Sequence, residues 1–196
     1  MEQVLVIGGG PSHMQHYEEC KNFKGIIVAT DRATKAIMDN GVIPDYICTV
    51  EAAKELTQMD FFNLEETKKH PIEIIISEET RHELLEAFQE HRIKYTKYAP
   101  KGFEPCRLPN VGMTAIHWVK NTLKPDHIIL LGFENEGEEY DEYTFRMWAT
   151  CFFGWVKEWT DKESLPWDYI INCSEGGVLY DKRVKKSTLK EVVSNQ

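Results

Sequence analysis

Gly8, Gly9 and Gly10, followed by Pro11 and Ser12, stand directly after the apolar run "VLVIG" at 4–8. A glycine-rich turn between a buried strand and a helix can aim backbone N–H groups at an anion, and the helix dipole favours the same charge. Pro11 suits a first helical turn because its missing N–H would be unpaired there anyway. The Ser12 hydroxyl can add a donor. The competing reading is a tight turn that needs positive φ, a need that one glycine would usually meet. Phosphate binding by residues 8–12 is the expectation. A dinucleotide fingerprint would also use Gly8 and Gly10 with an acid near Asp31, but His13 stands where its third glycine belongs. His13 and His16 have helical spacing without a third ligand nearby, so zinc is not indicated.

Other polar residues fall just past apolar runs. Asp31, with Arg32 beside it, follows "GIIVAT", and Glu51 follows "DYICTV". Carboxylates at such positions can hold a ribose, bind Mg²⁺ or act as a base. Helix capping by Asp31 is the plainer role and is compatible with ligand contact. Asp45, in the Pro44-Asp45 turn, leads into the same block. In "LPNVGMTAIHW", Asn110 and Thr114 can reach a ligand that Gly112 lets approach, although simple capping by Asn110 competes. His117 lies inside that helix and reads as a packed histidine. Glu134 follows "HIILLGF", and "INCSEGG" supplies Asn172, Ser174, Glu175 and Gly176 after the last strand. Loop geometry alone would also account for Gly176 and Gly177.

These residues need a scaffold that brings strand ends together. Short apolar runs recur at 4–8, 25–30, 45–50, 72–77, 127–133 and 168–174, with a weaker one at 93–99. Most are continuous rather than alternating, as in strands buried on both faces of a parallel sheet. Helical patterns lie between them at 31–41, 77–91, 110–123 and 187–196, the second opening on a capping box at Ser77. The expected fold class is α/β: one Rossmann-like domain over 1–196, its mainly parallel sheet covered by helices on both faces. Residues 134–166 fit less well. They read as a long helix closing over the sheet, or as a lid or homo-oligomer surface, with most rings buried and Tyr140, Tyr143 and Trp159 exposed.

Composition narrows the partners. The 196 residues carry a formal charge of −9, which argues against a nucleic-acid backbone as ligand. Five cysteines, an odd number without a C-x-x-C pair, read as reduced thiols. No basic leader or membrane-length apolar run is visible, so a soluble cytoplasmic protein is expected.

Four blocks in order, "GGGPS", "ATDRATKAIMDNGVIPDYICTVE", "NVGMTAIHWVKNTLKPDHIILLGFE" and "INCSEGGVLYD", resemble the domain shared by archaeal hydroxymethylpterin diphosphokinases and motility-associated factor flagellin glycosyltransferases. The "PDY" block is also similar to thiamine pyrophosphokinases, and the "GPS" loop to sialyltransferases that use CMP-activated sugars. The resemblance implies a nucleotide-binding Rossmann-like sheet that transfers a diphosphate or a nonulosonic sugar. The diphosphokinases carry clustered aspartates for Mg²⁺ where this chain reads "TVEAA". Glu51 followed by two alanines is a poor magnesium platform for phosphoryl transfer, so Mg²⁺ is permitted but not required.

The leading expectation is therefore a glycosyltransferase-like protein with a CMP-type nucleotide-sugar donor and an unidentified small acceptor. Gly8 to Ser12 would meet phosphate, Asp31, Asn110, Glu134 and Asn172 would line the pocket, and Glu51 would be the catalytic or donor-binding group. Two alternatives stand: an ATP- and Mg²⁺-dependent pterin or thiamine-type diphosphokinase, and a nucleotide-binding protein without catalysis.

Overall fold

The computed structural model describes residues 2–50, 64–78, 80, 82–99, 110–134, 142–166, 168–177, 179 and 182–196, without the side chains at 142, 143 and 145. Eight strands form one sheet: β1 (Gln3–Ile7), β2 (Ile26–Thr30), β3 (Tyr46–Thr49), β4 (Glu73–Ile76), β5 (Tyr95–Lys97), β6 (His127–Leu131), β7 (Ile170–Asn172) and β8 (Lys185–Lys186). Their order is β5-β4-β3-β2-β1-β6-β7-β8, and every pairing is parallel. Among the described residues seven α-helices accompany them: α1 (Tyr17–Asn22), α2 (Asp31–Asp39), α3 (Leu64–Thr67), α4 (His82–Glu90), α5 (Val111–Trp118), α6 (Glu142–Glu163) and α7 (Leu189–Ser194). The architecture is α/β and Rossmann-like.

The continuous apolar runs have the burial they imply. Alternate residues of one strand enter different cores. Leu5, Ile7, Ala29, Ile47, Ile74 and Leu131 pack with residues of α2, α4 and α7. Val4, Val6, Val28, Cys48, Ile75 and Leu130 pack with α5 and α6 on the opposite face. Strand order reverses between β1 and β6, where Ile7 is level with both Ala29 and Leu131. That reversal brings the segments after β1 and β6 to one place on the carboxyl edge.

Several expectations are corrected. The described part of α4 runs from His82, and Ser77 is outside it: the Ser77 carbonyl accepts the Thr80 N–H instead. β8 is a two-residue edge strand of lysines, too short and polar to show an apolar run. Residues 142–163 do form the long helix over the sheet, but Trp159 is buried, stacked on Trp155 with centroids 5.9 Å apart. The helical spacing of Phe152, Trp155, Val156 and Trp159 turns all four toward the second core. Tyr140 and the Tyr143 side chain lie outside the described parts. Cys20, Cys48 and Cys173 are free thiols, whereas Cys151 is disulfide-bonded, contrary to five reduced cysteines. No helix among the described residues is long and apolar enough to cross a membrane.

Candidate functional site

The site is built where β1 and β6 end. Gly8 N–H donates to the Leu131 carbonyl at 2.7 Å, and Gly10 N–H donates to the Gly132 carbonyl at 2.9 Å. Two serine hydroxyls accept from the next amides of the same exit: Ser12 from Gly132 N–H at 3.1 Å and Ser174 from Phe133 N–H at 2.8 Å. Asn172 fixes the third segment, donating to the Leu179 carbonyl and accepting from Ser174 N–H at 3.0 Å. Three loops, after β1, β6 and β7, are thus laced into one edge.

This lacing accounts for the glycines. None of Gly8, Gly9 or Gly10 has positive φ, while Gly132 does, at 77°. A Cβ on Gly8 would collide with the Gly132 carbonyl, and one on Gly9 would lie 2.8 Å from Arg32 Cβ. A Cβ on Gly10 would run into the Glu134 carboxylate and lie 2.7 Å from the Gly132 carbonyl oxygen. Close approach within the protein, rather than turn conformation, requires all three. The amides of Gly8 and Gly10 are also engaged by β6, so the expected set of free N–H donors is not formed by these two residues. Gly9 and Pro11 make the exposed face of the loop. Pro11 opens a 3-10 turn over Pro11–Gln15, as its fixed φ favours, and α1 follows that turn.

Beneath the loop lie polar atoms without partners. Glu134 is 3% exposed, and neither carboxylate oxygen has a hydrogen-bond partner. His13 is 1% exposed; its Nδ1 lies 2.6 Å from the Gly10 carbonyl, and its Nε2 has no partner. A carbonyl oxygen only accepts, so Nδ1 carries the proton and Nε2 of the neutral ring is an acceptor. Burial lowers the His13 pKa, opposed by the Gly10 hydrogen bond and by the Glu134 charge. Thr30 Oγ1, at the end of β2, and Thr114 Oγ1, in the first turn of α5, are likewise buried and unpartnered. Native interiors pair nearly all such atoms, so their concentration at one sheet edge singles this place out.

The remaining candidate residues divide by location. Asp31 is the first residue of α2 rather than its cap, which is Thr30. Its carboxylate accepts from Arg32 N–H and from Thr49 Oγ1, each at 2.8 Å. Asn110 caps α5, accepting from Met113 N–H at 2.8 Å. Gly112 admits the Phe133 ring, since a Cβ there would lie 2.6 Å from Phe133 Cε1; a ligand is not what it makes room for. Glu175 is exposed and 3.2 Å from His16 Nε2, tying the loop after β7 to the turn after Gly10. Gly176 is half-buried in that loop. Asp45 is set apart from the rest. It lies at the amino edge, where its carboxylate accepts from Ile27 N–H at 2.8 Å and locks β2 beside β3. Glu51 lies outside the described residues. His117 is a packed histidine, 2.7 Å from the Tyr98 hydroxyl and beside the rings of Trp155 and Trp159. His13 and Thr30 were not singled out as ligand-facing from sequence; their position at a strand end or just after the glycines was the available signal. Among the described residues no group of three or more His, Cys, Asp or Glu side chains could hold a metal ion.

Residues 1–135 match the model of the family described as 6-hydroxymethylpterin diphosphokinase MptE-like. The chain belongs to the MptE-like family. The matched stretch contains the strand ends of β1 and β6 and Glu134, so the reversal belongs to the MptE-like region, while α6, β7 and β8 follow it. Among solved structures, the chain is similar to the MAf glycosyltransferase from Magnetospirillum magneticum AMB-1, with a TM-score of 0.63 at 13% identity over 96% of this chain. It spans 34% of that protein's length, and the likeness is one of fold. A structure from Lactobacillus plantarum overlaps 80% of this chain and 59% of its own at 15% identity, with a TM-score of 0.39. No curated protein matches the chain.

Proposed function

We propose that this MptE-like chain is a nucleotide-dependent transferase whose nucleotide lies in the crevice outside the carboxyl ends of β1 and β6. One observation carries the reading: the unpartnered buried atoms of Glu134, His13 and Thr114 collect where the strand order of a doubly wound sheet reverses, the position where ligands of such sheets bind. Phosphate approaches the exposed face of Gly9, and Arg32, whose stem packs against Gly9, supplies positive charge beside it.

The donor is a nucleotide-activated sugar of CMP type. Support comes from "TVEAA", which lacks clustered aspartates, and from the fold shared with the MAf glycosyltransferase. Catalysis then rests on stabilising the departing phosphate and the oxocarbenium-like transition state, with Glu51 as the catalytic or donor-binding group. The family description favours a second reading, transfer of diphosphate from ATP with Mg²⁺ to a pterin alcohol. A thermal-shift panel of CMP, CDP, UDP, ATP and NAD, each with and without Mg²⁺, separates the two. A ligand at about 100 times its dissociation constant stabilises by roughly 2.7 kcal/mol. Metal-independent stabilisation by CMP is the expected result. Stabilisation by ATP only with Mg²⁺, together with diphosphate transfer, would replace it.

A further inference from the structure

We propose that Glu134 recognises a vicinal diol of the bound ligand, with His13 Nε2 as a second fixed acceptor beside it. This rests on the nucleotide reading above and names the part of the ligand that enters deepest.

The argument is one of donor and acceptor supply. Both Glu134 oxygens are buried and unpartnered, and a carboxylate offers acceptors. His13 has its one proton committed to the Gly10 carbonyl, which leaves Nε2 as an acceptor, and both His13 and the Glu134 carboxylate lie against Gly10. The Glu134 carboxylate reaches Gly10, and Gly10 N–H is already held by the Gly132 carbonyl. A phosphate placed there would meet like charge and no donor from these groups. A ligand group that matches these acceptors by hydrogen bonding brings hydrogens, at least two of them close together. Adjacent ring hydroxyls do so, their spacing suits the two oxygens of one carboxylate, and the ribose of any nucleotide carries such a pair.

The position also explains why the acceptors are tolerated. A buried polar group without a partner costs free energy in the unliganded fold, a cost that persists where binding needs it. A structural carboxylate would be hydrogen-bonded, as Asp31 and Asp45 are.

The test uses the full chain and its Glu134→Gln variant, with CMP and 2′,3′-dideoxy-CMP as probes in calorimetry. For wild type, losing two hydroxyls that face a carboxylate should weaken binding roughly tenfold to a hundredfold. This comparison needs no variant. Glu134→Gln should bind CMP correspondingly more weakly and no longer distinguish the two nucleotides. Its melting temperature without ligand should rise, by roughly 2–4 °C, because a neutral amide is cheaper to bury than a carboxylate. Equal wild-type affinity for the two probes overturns the proposal, and so does a lower melting temperature of the free variant, which would make Glu134 a structural group. If no nucleotide binds wild type, the nucleotide reading fails. A raised melting temperature then still supports Glu134 as an unfilled acceptor, and an unchanged or lowered one rejects it.

Discussion

The Ser12 hydroxyl oxygen accepts the Gly132 N–H at 3.1 Å across 120 residues of sequence, joining the loop after β1 to the exit of β6. Ser12 is 2% exposed. Ser12→Ala should therefore act on the fold: it leaves a buried amide without an acceptor, at a cost of about 1–3 kcal/mol. For a chain of this size that lowers the melting temperature by roughly 2–4 °C per kcal/mol. Nucleotide affinity of the folded variant should be unchanged. A tenfold loss of affinity at unchanged melting temperature would place the hydroxyl on the ligand instead.

Gly8 and Gly10 should respond differently to the same second change. Alanine at either position crowds the β6 exit and should destabilise by about 1–3 kcal/mol or more. At Gly10 one of the obstructing groups is the Glu134 side chain, whereas at Gly8 it is the backbone carbonyl of Gly132. Glu134→Ala should partly rescue Gly10→Ala and leave Gly8→Ala unrelieved. Denaturant titrations of the single and double variants give the coupling, expected at roughly 0.5–3 kcal/mol for Gly10 with Glu134. Additive effects at Gly10 would show that the clash is carried by the backbone alone.

The sheet was legible because its strands are continuous apolar runs, and a run such as "HIILL" leaves few alternatives to a strand buried on both faces. The position of Glu134 was legible for the same reason, since it directly follows such a run. What the glycines do was not legible. Three glycines before a proline look like an anion loop, and nothing local shows that Gly132, Arg32 and Glu134 come to fill the space they leave. Asp45 directly precedes β3, so in a parallel sheet its carboxylate falls at the amino edge, away from the strand exits. Trp159 was assigned to the surface because its neighbours in sequence are charged. Its helical partners Phe152 and Trp155 decide its side.

Gly154 offers the opposite case to the loop glycines. It sits within α6, is exposed, and an added Cβ would meet nothing within 4 Å. Glycine in a helix interior is less favourable than alanine by roughly 0.5–1 kcal/mol. Gly154→Ala should raise stability by about that amount without altering ligand binding. A loss of stability in chemical denaturation would reveal a need for glycine at that position.

The free thiols should be inert in the folded protein. Burial pushes the pKa of Cys20 and of Cys173 up to about 12 and that of Cys48 higher still. Reaction with alkylating agents needs the thiolate. Mass-spectrometric mapping after brief alkylation at neutral pH should leave all three unmodified, and the same treatment in denaturant should label them. Rapid labelling of Cys173 in the folded chain would mean that the edge after β7 opens.

His117 should make stability depend on pH. Burial, with the charge of Lys120 as the smaller cause, pulls its pKa from 6.5 down to about 4. The unfolded chain takes up this proton near pH 6.5 and the folded chain only near 4. Between those values the unfolded state holds more protons, so stability falls as pH falls. Below about 4 both states are protonated and this group adds no further slope. His13 is lowered by burial too and acts in the same direction. Glu73 and Glu191, both lowered by hydrogen bonds, add their losses at more acidic pH. Melting temperatures measured from pH 7.5 to 4 should therefore decline in wild type and decline less steeply in His117→Gln, which replaces the titrating ring with a neutral amide. The two curves should diverge in slope mainly between about 6.5 and 4, the window set by the two pKa values. Parallel curves across that window would show that His117 titrates normally in the folded chain, and the packing of Tyr98, Trp155 and Trp159 around it would then have to be looser than their distances imply.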